Sequence, residues 1–404
     1  MEGKRLIKSL RLKNLLSYGE AAEPIELQPL NVLIGPNGSG KSNLIEAIGL
    51  LHATPENITR AIRGGVTEWL WKGGKGETIA EIEAIVDYPD GPVDLRYLLS
   101  FAEFHGLRLK VVDEIVANAK PLHDEEDVRY FLRYEQGSPV VSSQRPPKRA
   151  RTEKGQPRSS VKWEMFDLTQ SVLSQRKDPG QYPEITYLGR QFGAIRLYRE
   201  WHLGRDASPR NPQPADLPED CLEEDAGNLS LVLNDLENRP AAKQRILKNL
   251  RAFYGRIGDF HTKVSHGTVN LYLHEESPEK TITIPATRIS DGTLRYLCLL
   301  TILCHPEPPP LVCIEEPELG LHPDVLPTVA QLLIDASQRT QLIVTTHSDM
   351  LVSALTDVPE CVLVCEHDQS GTHVRRLEKE KLEKWLEKYT LGELWQMGEI
   401  GGNL

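Results

Sequence analysis

The stretch that most restricts how this chain can fold is Gly35-Pro36-Asn37-Gly38-Ser39-Gly40-Lys41-Ser42. Before it, Pro29 to Ile34 is a short apolar run that reads as a buried strand stopping at glycine. After it, Ser42 to Leu51 carries apolar residues at helical spacing, with Ala, Leu and Glu favouring the helix. The eight residues therefore join a strand to a helix and match the Walker A pattern, whose glycines let backbone N–H groups converge on phosphate at a helix N-terminus. In that pattern Lys41 neutralises the β and γ phosphates, and Ser42 offers its hydroxyl to Mg²⁺, which prefers oxygen ligands. The bland alternative, a glycine-rich turn holding no ligand, does not call for these flanks.

A second apolar strand, Leu311-Val312-Cys313-Ile314, ends in the adjacent carboxylates Glu315 and Glu316. On a straight strand the two would point to opposite sides, unless the chain turns there. One carboxylate can hold Mg²⁺ directly or through water while the next polarises an attacking water as general base. An acidic turn in solvent is the plainer reading.

Between residues 76 and 135, alternating segments at Thr78 to Val86, Leu95 to Phe101, Leu107 to Val112 and Arg129 to Tyr134 predict an antiparallel β layer, with Pro89-Asp90-Gly91 as turn chemistry. Residues 140–162 hold Arg145, Lys148, Arg149, Arg151, Lys154, Arg158 and Lys162 among Pro, Ser, Gly and Gln, with Glu153 the single acid, and predict a mobile basic loop. Further on, Ile185 to Trp201 reads as strand or helix, and Leu229 to Tyr254 as helical. Strands are expected at Phe260 to Leu273, Thr281 to Ile284, Leu311 to Ile314 and Gln341 to Thr345, with helices at Gly292 to Cys304 and Leu326 to Arg339. The alternation predicts an α/β core. Four regions follow: an N-terminal lobe at 1–75, a β layer and helical insertion at 76–255, a C-terminal lobe at 256–370 and a tail at 371–404.

Here the order of motifs adds a resemblance. Arg288 to Arg295, with Ser290-Asp291-Gly292 at its centre, resembles the ABC signature of RecF-like and OLD-family (overcoming lysogenization defect) ATPases. Glu316-Pro317-Glu318-Leu319-Gly320-Leu321-His322-Pro323 resembles their D-loop, and Ile343 to Ser348 their strand and switch histidine, His347. The resemblance implies an ABC-type P-loop NTPase head with a RecA-like core, an antiparallel β layer and a mixed α/β insertion. It implies ATP and Mg²⁺ as cofactors, with Gly35, Asn37, Gly38, Ser39, Gly40, Lys41, Ser42 and Asn43 on the nucleotide and Ser42 and Glu315 on the metal. Glu316, His347 and Lys41 would be catalytic. Two heads would sandwich two nucleotides, so Ser290 and Gly292 of one copy would meet the γ-phosphate held by the other in a homodimer. Taken alone, Ser-Asp-Gly is an ordinary helix-capping turn, and a histidine at a strand end is usually a satisfied one. Glu315 stands where many ABC ATPases carry Asp, and the extra methylene moves the oxygen without changing its ligand chemistry. The family's glutamine-loop residue has three candidates, Gln144, Gln191 and Gln213.

The roughly 270 residues between Lys41 and Glu315 argue against an AAA+ ring ATPase, and no Asn-Lys-x-Asp guanine-reading motif occurs. A net charge of −11 opposes general attraction to nucleic acid or anionic membrane, without excluding DNA at a local basic patch. No run approaches the ~18 apolar residues of a membrane span. Six cysteines without zinc or redox spacing suit a reducing, cytoplasmic setting. Two functions are expected to compete: an ATP-gated head controlling a separately encoded effector protein or DNA in bacterial anti-phage defence or genome maintenance, and a RecF-like repair factor that binds DNA itself. A soluble transporter subunit is a distant third. About 55 residues follow His347, without the repeated acidic cluster of a nuclease, and Leu391, Leu394, Trp395 and Met397 could either dock a partner or pack on their own domain.

Overall fold

The computed structural model describes residues 3–74, 78–104, 108–123, 125–135, 138–141, 166–278 and 280–402. The basic segment from Arg145 to Lys162 and the candidate Gln144 lie outside the described residues.

A six-stranded sheet forms the centre, in the order Gly371–Arg376, Val362–Asp368, Leu30–Ile34, Gln341–Thr345, Leu311–Glu315, Arg196–Tyr198. Its strands run parallel except for the outer pair 371–376 and 362–368. Parallel strands covered on both faces read as unbroken apolar runs, and Leu30–Ile34 and Gln341–Thr345 are buried at every position. Alternate residues enter different cores. Leu30, Val32, Ile34, Val312 and Ile314 join the helices Leu229–Glu237, Pro240–Phe253, Asp291–Leu303 and Leu326–Ser337 in one cluster. Leu33, Leu311, Cys313, Ile343 and Cys365 join the helix Lys41–Ala53 and a seven-stranded antiparallel sheet in the other.

That sheet has the order Ile25–Glu26, Ile7–Lys13, Ala80–Val86, Leu95–Phe104, Arg108–Asn118, Tyr130–Glu135, Ser138–Val141. A buried amide fastens its second strand to the centre: Gln341 Oε1 accepts from the N–H groups of Leu6 and Ile7 at 3.0 and 2.8 Å, and Nε2 donates to the carbonyls of Ile7 and Gln28 at 2.7 and 3.1 Å. Two donors and two acceptors saturate the side chain, so its burial leaves nothing unpaired.

Four segments differ from the sequence expectation. The single strand foreseen over Phe260 to Leu273 is a hairpin, Ile257–Ser265 paired with Thr268–Ser277, turning at His266 and Gly267 with φ of 51° and 74°. Two consecutive positive φ values make the tight turn that matches strand twist. The helix foreseen over Leu229 to Tyr254 is two, because Pro240 cannot continue the first and starts the second. Arg196–Tyr198, placed by sequence in the insertion, and Gly371–Arg376, placed in the tail, both belong to the central sheet. Leu391 and Leu394 are fully buried in the first of these clusters, with their helix Leu391–Gln396 packed on Asp349–Ser353, so neither offers a docking surface. Met397 is exposed.

One buried acid ties the layer to the helices beneath it. Glu114 accepts from the hydroxyls of Tyr97 and Ser171 at 2.9 and 2.6 Å and from the Val172 N–H at 2.8 Å. Burial raises its pKa to about 7, against the opposing effect of those three donors. A raised folded-state value means the folded chain holds a proton that the unfolded chain releases at about 4.5, so this contribution is full below that pH and is lost as pH rises through 7. Urea unfolding between pH 4.5 and 8 should therefore show stability declining by something on the order of 3 kcal/mol, and Glu114→Gln should flatten the slope. An unchanged slope in the variant would remove Glu114 as its source.

Candidate active site

The phosphate loop is held from behind by residues distant in sequence. Gly40 has φ of 97°, and a Cβ there would collide with the Thr372 hydroxyl and with Ser17. Thr372 donates instead to the Ser39 carbonyl at 3.1 Å, and the Tyr18 hydroxyl donates to the Gly40 carbonyl at 3.2 Å. Gly35, with φ of 145°, passes so close to the Cys365 carbonyl that no side chain fits. Glycine is required at both positions, for conformation and for space.

Lys41 opens the helix and is almost fully buried, its ammonium donating to the carbonyls of Gly35 and Pro36 at 2.8 and 2.9 Å. Burial lowers its pKa, while the Cys365 and Glu316 side chains pull it back up. Ser42 donates its hydroxyl to Glu315 Oε2 at 3.0 Å. Burial raises the Glu315 pKa, and the Ser42 hydrogen bond and the Arg199 charge oppose the rise. Two adjacent oxygen donors beside a phosphate loop suit Mg²⁺, which takes few protein ligands and keeps its waters.

The chain does turn after the strand. Glu316 has φ of 46°, a left-handed conformation costing a non-glycine residue roughly 1–2 kcal/mol, and its N–H donates to the Thr345 carbonyl at 3.0 Å. The turn separates the two carboxylates: Glu315 faces Ser42, and Glu316 lies 3.8 Å from His347 Nε2. Glu318 carries the histidine segment, Oε1 accepting from the Thr346 hydroxyl at 2.7 Å and the His347 N–H at 2.8 Å.

A cleft of about 170 Å³ is lined by Asn37, Gly38, Gly40, Lys41, Ser42, Asn43, Glu316, Thr345 and His347. The structure thus brings together most of the residues expected on nucleotide. Ser39 is buried behind the loop, Gly35 lies at its base, and Glu315 stands beside Ser42 in the adjoining cleft. Ser290 and Gly292 do not line the cleft. Ser290 caps the helix Asp291–Leu303, its Oγ accepting from the Thr293 N–H at 3.1 Å, and Gly292 lies under the Gly320 carbonyl, 2.9 Å from where a Cβ would sit.

Two arginines escaped the sequence reading. Buried Arg210 ties down the approach to that helix: Nε donates to the Leu203 carbonyl at 2.8 Å, Nη1 to the carbonyls of Ala286 and Ile289, and Nη2 pairs with Asp291. Arg199 follows the edge strand Arg196–Tyr198 and lies 3.5 Å from both Glu315 and Glu46. Helical spacing puts Glu46 one turn beyond Ser42 and could have singled it out, whereas Arg199 becomes visible only through strand order. As for the glutamine-loop candidates, Gln191 lies on the helix Pro183–Gly193 and Gln213 accepts from the Ser230 N–H at 2.6 Å, and neither lines these two clefts. Arg210→Ala leaves three carbonyls and Asp291 without their partner. It should destabilise the chain by about 3 kcal/mol in thermal or urea melts while leaving the Lys41 cleft intact, and an effect under about 0.5 kcal/mol would mean the staple is dispensable.

Residues 30–353 match the model of the family described as "AAA domain, putative AbiEii toxin, Type IV TA system". The DNA replication and repair protein RecF of Mesorhizobium japonicum is 36% identical over 129 residues, 31% of this chain and 30% of that protein. RecF of Acaryochloris marina is 31% identical over 94 residues, 23% of each. The aligned stretches thus span less than a third of either RecF. Among solved structures, an Smc head bound to the C-winged helix domain of ScpA superposes with TM-score 0.58 at 14% identity, covering 93% of this chain and 99% of the other. The Pyrococcus furiosus Smc head with an extended coiled coil, bound to the C-terminal domain of ScpA, gives 0.55 at 15%, covering 95% and 99%. With more than half its length matched to the family model, the chain belongs to this AAA-domain family; it has the fold of an ABC-type P-loop ATPase head and is similar to RecF over part of its length.

Proposed function

We propose that the chain binds ATP with Mg²⁺ in the cleft between Lys41 and His347, hydrolyses it, and pairs with a second copy while nucleotide is bound, so that the ATP cycle controls a partner effector or DNA in bacterial anti-phage defence or genome maintenance. The observation that carries this reading is a division of residues. Lys41, Ser42, Glu316 and His347 share one cleft, while Ser290 and Gly292 stand outside it at the start of a 13-residue helix. Backbone N–H groups at that helix N-terminus, with a serine hydroxyl and no side chain at Gly292, suit the γ-phosphate of another copy.

Each residue then has a distinct task. Gly38, Gly40 and Asn43 bring main-chain donors to the phosphates, with Gly35, Asn37 and Ser39 shaping the loop behind them. Lys41 leaves its two carbonyl partners for phosphate oxygen, an exchange its burial favours because a desolvated ammonium gains more from an anion than from a dipole. Ser42 and Glu315 would hold Mg²⁺, which when bound neutralises charge on the phosphates. Glu316, turned away from Ser42 by its left-handed conformation, would orient and deprotonate the attacking water, and His347, 3.8 Å from Glu316, would meet the γ-phosphate. Local identity to RecF supports a second reading, in which the chain binds DNA directly.

Glu316→Gln should lower ATP hydrolysis by 10²–10⁴-fold while leaving ATP binding intact, and should accumulate a dimer with ATP and Mg²⁺ in light scattering. Lys41→Ala should lose nucleotide binding and remain monomeric. A Glu316→Gln protein that binds ATP yet stays monomeric would sink the paired-site model, and one that turns over at the wild-type rate would sink the role of Glu316. DNA retained by the trapped dimer would favour the RecF-like reading over a protein effector.

A further inference from the structure

Arg199 has no place in the scheme above, yet its guanidinium is the cation beside the proposed metal ligand. It extends from the end of the edge strand into a cleft of about 700 Å³ that meets the nucleotide cleft at Ser42. Its Nε lies 3.5 Å from Glu315 Oε1 and its Nη1 3.5 Å from Glu46 Oε1, while the other Glu315 oxygen takes the Ser42 hydroxyl. Glu315 is thus shared between the residue that would face the metal and a fixed positive charge. The neighbouring helix passes close by: Gly49 lies within Lys41–Ala53, and a Cβ there would come within 3.1 Å of Arg199 Nη2, near enough to shift the guanidinium by a few tenths of an ångström.

We propose that Arg199 is a built-in counter-ion of Glu315 that opposes divalent-cation binding until nucleotide is present. The inference rests on the assignment of Ser42 and Glu315 as metal ligands. A carboxylate already neutralised by a guanidinium attracts Mg²⁺ weakly, and a dication entering beside Glu315 is repelled by Arg199 across a few ångströms of half-buried site. Phosphates alter the balance: they supply negative charge on the Ser42 side and draw the dication in with them. The metal then arrives with nucleotide rather than ahead of it. Such a device keeps Glu315 paired in the resting protein without a bound ion, at the expense of a carboxylate that must exchange one cation for another.

Mn²⁺ titration followed by electron paramagnetic resonance reads this directly, with no need for turnover. Without nucleotide, Arg199→Ala and Arg199→Gln should each bind Mn²⁺ roughly tenfold more tightly than wild type, and Arg199→Lys should stay close to wild type because it keeps the charge. With a non-hydrolysable ATP analogue the difference should shrink to about twofold or less. Two neutral variants guard against a folding defect in one, and circular dichroism melts confirm that each is native. Neutral variants that bind Mn²⁺ no more tightly than wild type, or less tightly, overturn the counter-ion role while leaving the metal ligands standing. Failure of wild type to bind Mn²⁺ even with the analogue overturns the assignment of Ser42 and Glu315, and this inference with it.

Discussion

Everything at the site depends on the parallel register of four strands. Leu33 pairs with Thr345, Thr345 with Glu315, and Ile34 with Val364, so the phosphate loop, the two carboxylates, the histidine segment and the Cys365 carbonyl all leave the sheet at the same edge. A shift of one residue would exchange the two faces of each strand and move its apolar set into the wrong core. The chemistry is therefore placed by main-chain pairing, and side chains only refine it.

The same sheet stands between two packed halves of the protein. On one face the helix after the phosphate loop lies beneath the seven-stranded layer, and on the other the helix begun by Ser290 lies beside the small hairpin sheet. Side-chain amides and a guanidinium bridge where strand ends would leave polar groups unpaired. Gln341 serves the Ile7 strand, and Asn31 donates to the Leu342 carbonyl while accepting from Arg376. Such saturated buried contacts specify one arrangement of the halves, because any slip would strand several donors at once.

Much of this was legible in the sequence because its signals are local. Apolar runs ending at Gly35 and at Glu315 mark strands of the stated length, and the glycines at 38 and 40 mark the loop. What was not legible depends on contacts between distant residues. Arg199 and Thr372 stand in segments with no motif of their own, and the sheet brings them to Glu315 and to the Ser39 carbonyl, each more than a hundred residues away. The hairpin at His266 and Gly267 is marked in the sequence only by a change of phase, its buried positions passing from even numbers (Phe260, Thr262) to odd ones (Val269, Leu271, Leu273) across a turn with a single glycine. At Pro240 the helical periodicity survives a break. The separation of the Glu315 and Glu316 side chains was conditional on a turn, and the positive φ of Glu316 supplies that turn.

The position of Leu30–Ile34 in the sheet has a consequence for how the protein is made. Its neighbours on both sides are the strands Gln341–Thr345 and Val362–Asp368, and the Asn31 to Leu342 contact alone spans 311 residues of sequence. At a synthesis rate of about 5–20 residues per second, the nascent phosphate-loop strand leaves the ribosome about 15 to 60 s before either neighbour exists. During that interval the face carrying Leu30, Val32 and Ile34 and both backbone edges lack their native partners, and loop closure of this length must precede any gain from pairing. The Ile7 strand can meanwhile pair with Ala80–Val86 across a 66-residue connection, and from Ala80–Val86 onward each strand of the antiparallel layer follows its neighbour closely in sequence. That layer can form as the chain emerges, leaving the nucleotide-binding half to close last, once translation has delivered the strands that flank its loop.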